Sequence, residues 1–534
     1  MQVFKKFLLI AALAGLSGAI SGSVAAADGS AKLLKSTADH SKFKELQKHF
    51  DSGPEVTKVC LSCHTEASKQ IHKTQHWNWE YINPETKQKL GKRHVVNNFC
   101  TSVATNQKGC ASCHIGYSVM KDGEIDLASE ENVDCLVCHD TTGRYKKPSG
   151  FGGSPVTKDT EFPPGSGKIV RGIDLSAISQ KVGKTSRTTC GSACHFVGGG
   201  GDGVKHGDLD SSLEAPEKKL DVHMDVDGLN FTCATCHQTE GHQVPGSRYA
   251  PTAMDKAPAH LRGKVDGSNP ATCQSCHGQA PHQKQAKLND HTNKIACQTC
   301  HIPKFARGDV PTKMSWDWST AGKRDEKGKP LVITNDDGHV TYNGIKGDFE
   351  LAENVVPDYI WFNGKNEFTL LDTKIEKSQQ PIYINHFGGS PTDGKSMIWP
   401  IKTFRGKQAY DPENKTLAVT HLAGADDTAY WTNLNWEKAI ATGMAAAKLP
   451  FSGKVDFVET ISQWPITHMV APKEDALHCA DCHSRNGRLA KVEGIYIPGR
   501  DHNTLVETLG WLAAAGALIG TLLHGAIRIV RRKH

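Results

Sequence analysis

The sequence predicts a mainly α chain with much irregular structure and few short strands, wound around covalently attached groups in place of a large side-chain core. Three observations predict this. Hydrophobic residues make up only 38% of the 534 residues, whereas glycine (51) and histidine (27) are abundant. Of the 17 cysteines, all but Cys100 fall in one repeated motif. Seven of its eight copies crowd between Cys60 and His301, which leaves little room for long helices or strands between them.

The motif reads CLSCH at Cys60, CASCH at Cys110, CLVCH at Cys135, CATCH at Cys233, CQSCH at Cys273, CQTCH at Cys297 and CADCH at Cys479, with a longer variant, CGSACH, from Cys190 to His195. Two thiols followed at once by a histidine form the attachment pattern of c-type haem: the thiols add to the vinyl groups and the histidine becomes the proximal iron ligand. Paired thiols can also hold zinc, but zinc gives no reason for a histidine after every second cysteine. The sequence therefore predicts eight c-type haems. Their thioether cysteines are Cys60, Cys63, Cys110, Cys113, Cys135, Cys138, Cys190, Cys194, Cys233, Cys236, Cys273, Cys276, Cys297, Cys300, Cys479 and Cys482, and their proximal ligands His64, His114, His139, His195, His237, His277, His301 and His483. The porphyrins supply the apolar area that the side chains lack. In CGSACH the extra residue alters the loop over one haem edge, but His195 still follows Cys194 directly, so attachment is preserved.

The ends set the compartment. Residues 1–27 carry Lys5 and Lys6 before an apolar run closed by Ala25-Ala26-Ala27, the order of a secretory signal peptide. Thr508–Ile527 contains no Asp, Glu, Lys or Arg, which suits a bilayer core of ~30 Å. Arg528, Arg531, Arg532 and Lys533 follow it, and basic flanks mark the cytoplasmic side. The expectation is a body on the periplasmic side of the cytoplasmic membrane, held by a single C-terminal anchor. A buried amphipathic helix is the alternative. His524, inside the span, marks a contact with a haem-bearing or quinol-reactive membrane partner or a helix-packing position. A net charge of +6, without aromatics interleaved among the basic residues, excludes nucleic acid as a partner.

Between the ends the sequence divides into a multihaem body over 28–301, a cysteine-free elaboration over 302–478, an eighth haem region over 479–500 and a linker over 501–507, followed by the helix and the basic tail 528–534. The elaboration holds seven of the ten tryptophans. Within it LVITNDDGHVTYNG and PIYINHFGGS read as short strands and turns, and WTNLNWEKAIATGMAAAKL as helix.

The eight proximal ligands leave nineteen of the 27 histidines. A second imidazole on each iron gives an electron-transfer haem closed to substrate. The distal candidates beside the motifs are His40, His76, His223, His242, His260, His282, His291 and His468, with His49 and His72 as rivals of His40 and His76.

One loop does not fit this scheme: GGGGDGVKHGDLD, Gly198 to Asp210, beside CGSACH. It is not a Walker phosphate loop. From the residues alone it is a solvated turn, or it offers Lys205 or His206 to an iron. Together with NNFCTSVATNQKGCASCH, VDCLVCHDTTGRYKK, LDVHMDVDGLNFTCATCH and LNDHTNKIACQTCH it resembles the octahaem tetrathionate reductase family of periplasmic c-type cytochromes, over about His64 to His483. The resemblance implies that the haem of Cys110, Cys113 and His114 takes a lysine amine distally and is the active site. It implies that Lys205 and Asp202 correspond to the family's D-x-x-K pattern, and Cys100 to its pocket cysteine. Lysine is more basic than imidazole, with an ordinary pKa of ~10.4, so a coordinating amine has to be deprotonated and can be displaced and reprotonated next to substrate. A thiolate at Cys100 can attack a sulfur chain. Unlike the soluble family, this chain has the C-terminal helix, which points to a membrane cytochrome or quinol dehydrogenase as electron donor.

The expected function is an oxidoreductase, a membrane-anchored octahaem reductase of a small anionic or nitrogenous substrate such as tetrathionate, nitrite or hydroxylamine, with Lys205, Asp202 and Cys100 as catalytic residues. The alternative is a non-catalytic wire between the quinol pool and another acceptor. An oxidase of hydroxylamine-like substrates is a third reading.

Overall fold

The computed structural model describes residues 38–532 apart from 100, 118–119, 122–123, 199, 258, 260–270 and 425. The signal-peptide segment, Cys100, His260 and Lys533 therefore lie outside the described residues.

In the haem-binding half the elements are single turns placed at the attachment motifs. They include Leu136–His139, Cys233–Cys236, Cys273–His277 and Cys297–His301, and Cys479–Cys482 repeats the pattern near the C-terminus. One α-turn puts residues i, i+3 and i+4 on one face. It thus presents both thiols and the histidine of C-x-x-C-H to the same side. Small caps start these turns: the Thr272 hydroxyl accepts from Ser275 N, and Thr232 forms a capping box with Thr235. Helix α1, Gly53–Leu61, is longer and carries Cys60 in its last turn.

CGSACH has a different solution. After the turn Arg187–Cys190 the backbone widens into a π-turn over Gly191–His195, closed by Phe196 N donating to Gly191 O at 3.0 Å. A π-turn takes up one extra residue per turn. The insertion is absorbed in the helix itself, and the expected change of loop is a change of helix type.

From Thr312 to Pro465 the chain builds a sheet of nine strands, in chain order β1 Thr312–Asp317, β2 Val332–Thr334, β3 Val340–Asn343, β4 Gly347–Ala352, β5 Asp358–Phe362, β6 Ile382–Tyr383, β7 Met397–Asp411, β8 Thr416–Leu417 and β9 Asp456–Pro465. Its main path runs β6-β9-β7-β1-β4-β3-β2, with β5 and β8 also paired to β7. Strand β7 is the spine, antiparallel to β9 from Ile401↔Pro465 to Tyr410↔Asp456 and parallel to β1 at Arg405↔Ser315 to Lys407↔Asp317.

This corrects the expectation of few short strands, since β7 alone has 15 residues. Most of β7 is buried on both faces, so it lacks the alternation that marks a half-buried strand. Pro400 and Gly406 inside it read as breakers. The runs expected as short strands form β2, β3, β6 and a strand over Asn385–Phe387. The expected helical run forms the turn Tyr430–Asn433 and helix α2, Trp436–Ala446.

The sheet's aromatic core joins Trp316, Trp318, Phe349, Phe404, Tyr430 and Trp464 to Phe99 and Val204, two residues of the haem-binding half. Trp316 and Trp318 stack at 4.5 Å, and the indole of Trp318 donates to Asn98 O at 2.7 Å. The sheet is therefore the surface on which the chain around Phe99 and the loop carrying Lys205 are seated.

The final element, α3, is Thr504–Arg531, 28 residues capped by Asn503. At ~1.5 Å per residue it extends about 42 Å. Its apolar side chains, Trp511 and Leu522 among them, are exposed along its length.

Candidate active site

The histidines come together in pairs. Ring centroids lie 6.3 Å apart for His40 and His64, 6.2 Å for His76 and His195, and 6.1 Å for His223 and His277. They lie 6.4 Å apart for His468 and His237, and 6.1 Å for both His282 with His301 and His291 with His483. An iron fits between the members of each pair, because two metal–imidazole bonds of ~2 Å put the centroids about 6 Å apart. In every pair one member belongs to an attachment motif and the other is a distal candidate. Among the described residues His242 has no ring contact of this kind, but it is an electrostatic neighbour of His139.

The rivals are used elsewhere: His72 stacks on Trp77 at 4.5 Å, and His49 faces Asp51 at 3.3 Å on the surface.

Backbone carbonyls orient the proximal rings. Nδ1 of His139 donates to Gly183 O at 2.8 Å, that of His237 to Pro245 O at 2.9 Å and that of His483 to Pro498 O at 3.1 Å. A carbonyl only accepts, so Nδ1 carries the proton and Nε2 is left for a metal. On the distal side, the carboxylate of Asp208 accepts from His468 Nδ1 at 3.2 Å and also from the backbone N–H groups of Thr467 and His468. Sequence reasoning missed Asp208, although it stands three residues after Lys205.

His114 differs from the rest. Among the described residues no second imidazole is in ring contact with it; its neighbours are Trp77 at 5.2 Å and Trp79 at 4.8 Å. Its Nε2, the nitrogen that the three rings above leave for a metal, donates here to Trp77 O at 2.7 Å. Burial, with Lys147 nearby, pushes its pKa down to about 4. Behind it Lys147 pairs with Asp134 at 3.1 Å, both side chains almost completely buried, and donates to the carbonyls of His114 and Gly116. Tyr117 and Tyr145 donate to the same carboxylate at 3.0 and 2.9 Å.

Lys205 belongs to this neighbourhood. It is buried, its amine donates to Gly198 O at 3.3 Å, and it lies 6.0 Å from the ring of Phe99 and 5.3 Å from that of Trp464. The thiol of Cys113, in the motif of His114, lies in the field of the Lys205 and Lys92 ammonium groups. Phe99 is the chain neighbour of Cys100. His206, the other ligand offered by the loop, sets its ring edge-on to Trp464 at 4.8 Å.

Asp202 is turned elsewhere. Its carboxylate accepts from Ser211 N at 2.9 Å and from the Ser211 hydroxyl, and it makes no hydrogen bond to Lys205. Asp208 and Asp210 are the buried carboxyls of the loop; one oxygen of Asp210 accepts from Ser212, the other has no partner among the described residues, and burial pushes its pKa up to about 6.

The attachment cysteines also fall into a series. The thiols of Cys60 and Cys135 shift each other's ionisation as close neighbours, as do Cys113 and Cys194, Cys190 and Cys233, and Cys273 and Cys297. Electrostatic proximity adds Cys138 to Cys190, Cys236 to Cys276, and Cys300 to Cys482. All eight motifs are thereby linked, and CGSACH stands at the branch between the motifs at Cys110, Cys135 and Cys233.

Comparison with known proteins finds a multihaem relative over most of the chain. The family model described as bacterial cytochrome c matches residues 313–486. No curated protein matches the chain. The crystal structure of octaheme cytochrome c from Shewanella oneidensis is similar at 38% sequence identity, over 84% of this chain and 95% of that one, with a TM-score of 0.72.

Proposed function

From the premise that the chain belongs to the octahaem c-type cytochromes, we propose that it is an exported, membrane-anchored reductase acting on a small oxidised sulfur or nitrogen compound. Tetrathionate, nitrite and hydroxylamine are the substrates in question. One observation carries the reading. The motif of His114 has no imidazole in ring contact with it among the described residues, and the charge of Lys205 acts on that motif's second cysteine.

Bound haem supplies one-electron redox capacity and, where the distal ligand is displaceable, a coordination position for substrate. The residues of the chain do the rest. The six histidine pairs would hold six irons closed to substrate, with His139 and its neighbour His242 offered to a seventh. Lys205 offers a basic group that binds when neutral and donates a proton when displaced. Cys100 supplies a thiol for substrates with S–S bonds. With Asp202 committed to Ser211, its part is to brace the Lys205 loop. The exposed apolar length of α3 supports a membrane anchor, and a membrane cytochrome or quinol dehydrogenase is the fitting donor.

The test is catalytic current from the haem-loaded chain on an electrode, with each of the three substrates offered in turn, beside Lys205→Met. Substrate-dependent current that collapses in the variant is the expected result. Reversible haem signals without catalytic current for any substrate would leave the chain an electron wire.

A further inference from the structure

Among the described histidines that face an attachment motif, His468 is the one whose ring is hydrogen-bonded to a carboxylate, Nδ1 meeting Asp208 at 3.2 Å. The other rings bonded through Nδ1 meet neutral oxygens. Backbone carbonyls face His139, His237 and His483, the side-chain oxygen of Asn289 faces His282 at 3.1 Å, and that of Gln70 faces His242 at 2.7 Å. His223 stands 3.8 Å from Asp221, beyond hydrogen-bonding distance.

The carboxylate of Asp208 is buried and fixed from several sides. It accepts from the backbone N–H groups of Thr467 at 2.8 Å and His468 at 3.1 Å, and the Thr467 hydroxyl lies 3.4 Å from it and 3.1 Å from Nδ1. The loop is pinned just before it, where Ala306 N donates to Gly207 O at 2.6 Å. Gly207 has a φ of +82°, and a Cβ there would stand 2.8 Å from the ring of Phe305. The carboxylate is therefore held against the imidazole by the backbone on both sides of the contact.

A charge-assisted hydrogen bond is roughly twice as strong as a neutral one. A carboxylate on Nδ1 draws the proton toward itself and makes Nε2 a more basic ligand, which favours the ferric over the ferrous state of the iron it binds. The ring opposite His468, at 6.4 Å, is His237. In the cysteine series its motif adjoins CGSACH through Cys190 and Cys233, and the motif at Cys273 through Cys236 and Cys276. The motifs at Cys273, Cys297 and Cys479 join the rest of that series through it, so a bias toward ferric iron there acts on electrons passing between that arm and the motif of His114.

We propose that Asp208 is a positioning residue that, through His468, lowers the reduction potential of the haem attached at Cys233 and Cys236. This requires that His237 and His468 share an iron, and it holds for a reductase and for an electron wire alike.

The haem-loaded full chain is titrated potentiometrically at pH 7 while electron paramagnetic resonance follows its low-spin ferric signals, for wild type, Asp208→Asn, Asp208→Glu, Asp210→Asn and His468→Met. Asp208→Asn keeps an acceptor and loses the charge. One low-spin component is expected to keep its signal type and shift its ferrous-to-ferric ratio upward by roughly tenfold at a given potential, a rise of ~59 mV for one electron. Asp208→Glu keeps the charge but displaces it, and is expected to move the same component less. Asp210→Asn removes a buried carboxyl of the same loop that is bonded to Ser212 and to no histidine, so it controls for charge alone and is expected to move that component least. His468→Met exchanges the ligand and identifies the component by its altered signal.

Unchanged midpoints in a fully loaded Asp208→Asn would overturn the proposal. So would an equal shift of all low-spin components, which reports charge at a distance, or a shifted component other than the one that His468→Met alters. If Asp208→Asn does not load haem, the same criteria are applied to Asp208→Glu.

Discussion

The side-chain amine of Lys402 donates to the backbone carbonyl of Lys205 at 3.0 Å. It also donates to Val204 O at 3.2 Å and to the Thr312 hydroxyl, and it is completely buried. On β7 it stands opposite Trp464 of β9. One lysine thus holds the backbone of another against the sheet, while burial keeps its own pKa well below the ordinary lysine range.

Lys402→Met should therefore separate loop position from fold. The substitution strands buried carbonyls but removes a buried amine, so the net loss of stability should be about 1–2 kcal/mol. With Lys205 no longer held, catalytic current should fall by roughly tenfold, a drop of about 1.4 kcal/mol in transition-state stabilisation. Electrode kinetics beside thermal unfolding check this, and wild-type current in a folded variant would sink it.

Gly406 on β7 is a second lever on the site. A Cβ there would stand 1.5 Å from the side-chain nitrogen of Asn98, which donates to Thr460 at 2.7 Å. Gly406→Ala should push the Asn98–Phe99 segment off the sheet at a cost of about 1–3 kcal/mol, as overpacking does elsewhere. Gly394 has open space around its Cβ position but a φ of +69°, so Gly394→Ala is a control for backbone strain without crowding. A lowered unfolding midpoint together with altered substrate current in Gly406→Ala, but unaltered current in the control, is the expected pattern.

Asp210 predicts a pH dependence with a definite sign. Its folded-state pKa is raised from 3.8 to about 6, so the folded form favours the protonated acid. The residue is most favourable below its unfolded pKa, and stability is lost as pH rises through about 6. Asp210→Asn keeps an acceptor for Ser212 and removes the charge. It should stabilise the protein by about 2–3 kcal/mol at most near pH 7, with the gain vanishing toward pH ~4. Denaturant midpoints across this range provide the check; a pH-independent difference would refute the assignment.

The pair Lys147 and Asp134 predicts a non-additive cycle. Both side chains are almost completely buried at 3.1 Å, and removing one partner leaves the other charge uncompensated. Lys147→Met should cost about 3–5 kcal/mol. The double variant with Asp134→Asn should recover a good part of that, a coupling above about 1 kcal/mol. Unfolding followed by circular dichroism measures all four corners, and strict additivity would show that the pair is not coupled.

How much of this was legible in the sequence can be judged residue by residue. Cysteine spacing implied c-type haems directly, because thioether attachment needs two thiols and a histidine on one face of a turn, and that is local chemistry. The distal candidates were legible as a set but not as pairs: nothing local distinguishes His76 from His72, whereas the fold brings His76 to His195 and stacks His72 on Trp77. The apolar character of α3 was likewise a property of consecutive residues.

The rest depended on long-range contacts. Strand β7 carries no alternation because both of its faces are buried, and Lys402 and Trp464 lie far apart in the chain from the Lys205 loop they approach. Asp202, three residues before Lys205, is turned to Ser211, while Asp208 and Asp210 hold the buried carboxyls of the loop. The sequence by itself determined which groups the chain attaches and where its apolar helix lies, since both follow from neighbouring residues. Only the tertiary structure decided which histidines face each other and which sheet residues hold the Lys205 loop, because those contacts join residues distant in the chain and form only when the haem-binding half folds on itself and packs on the sheet's aromatic face.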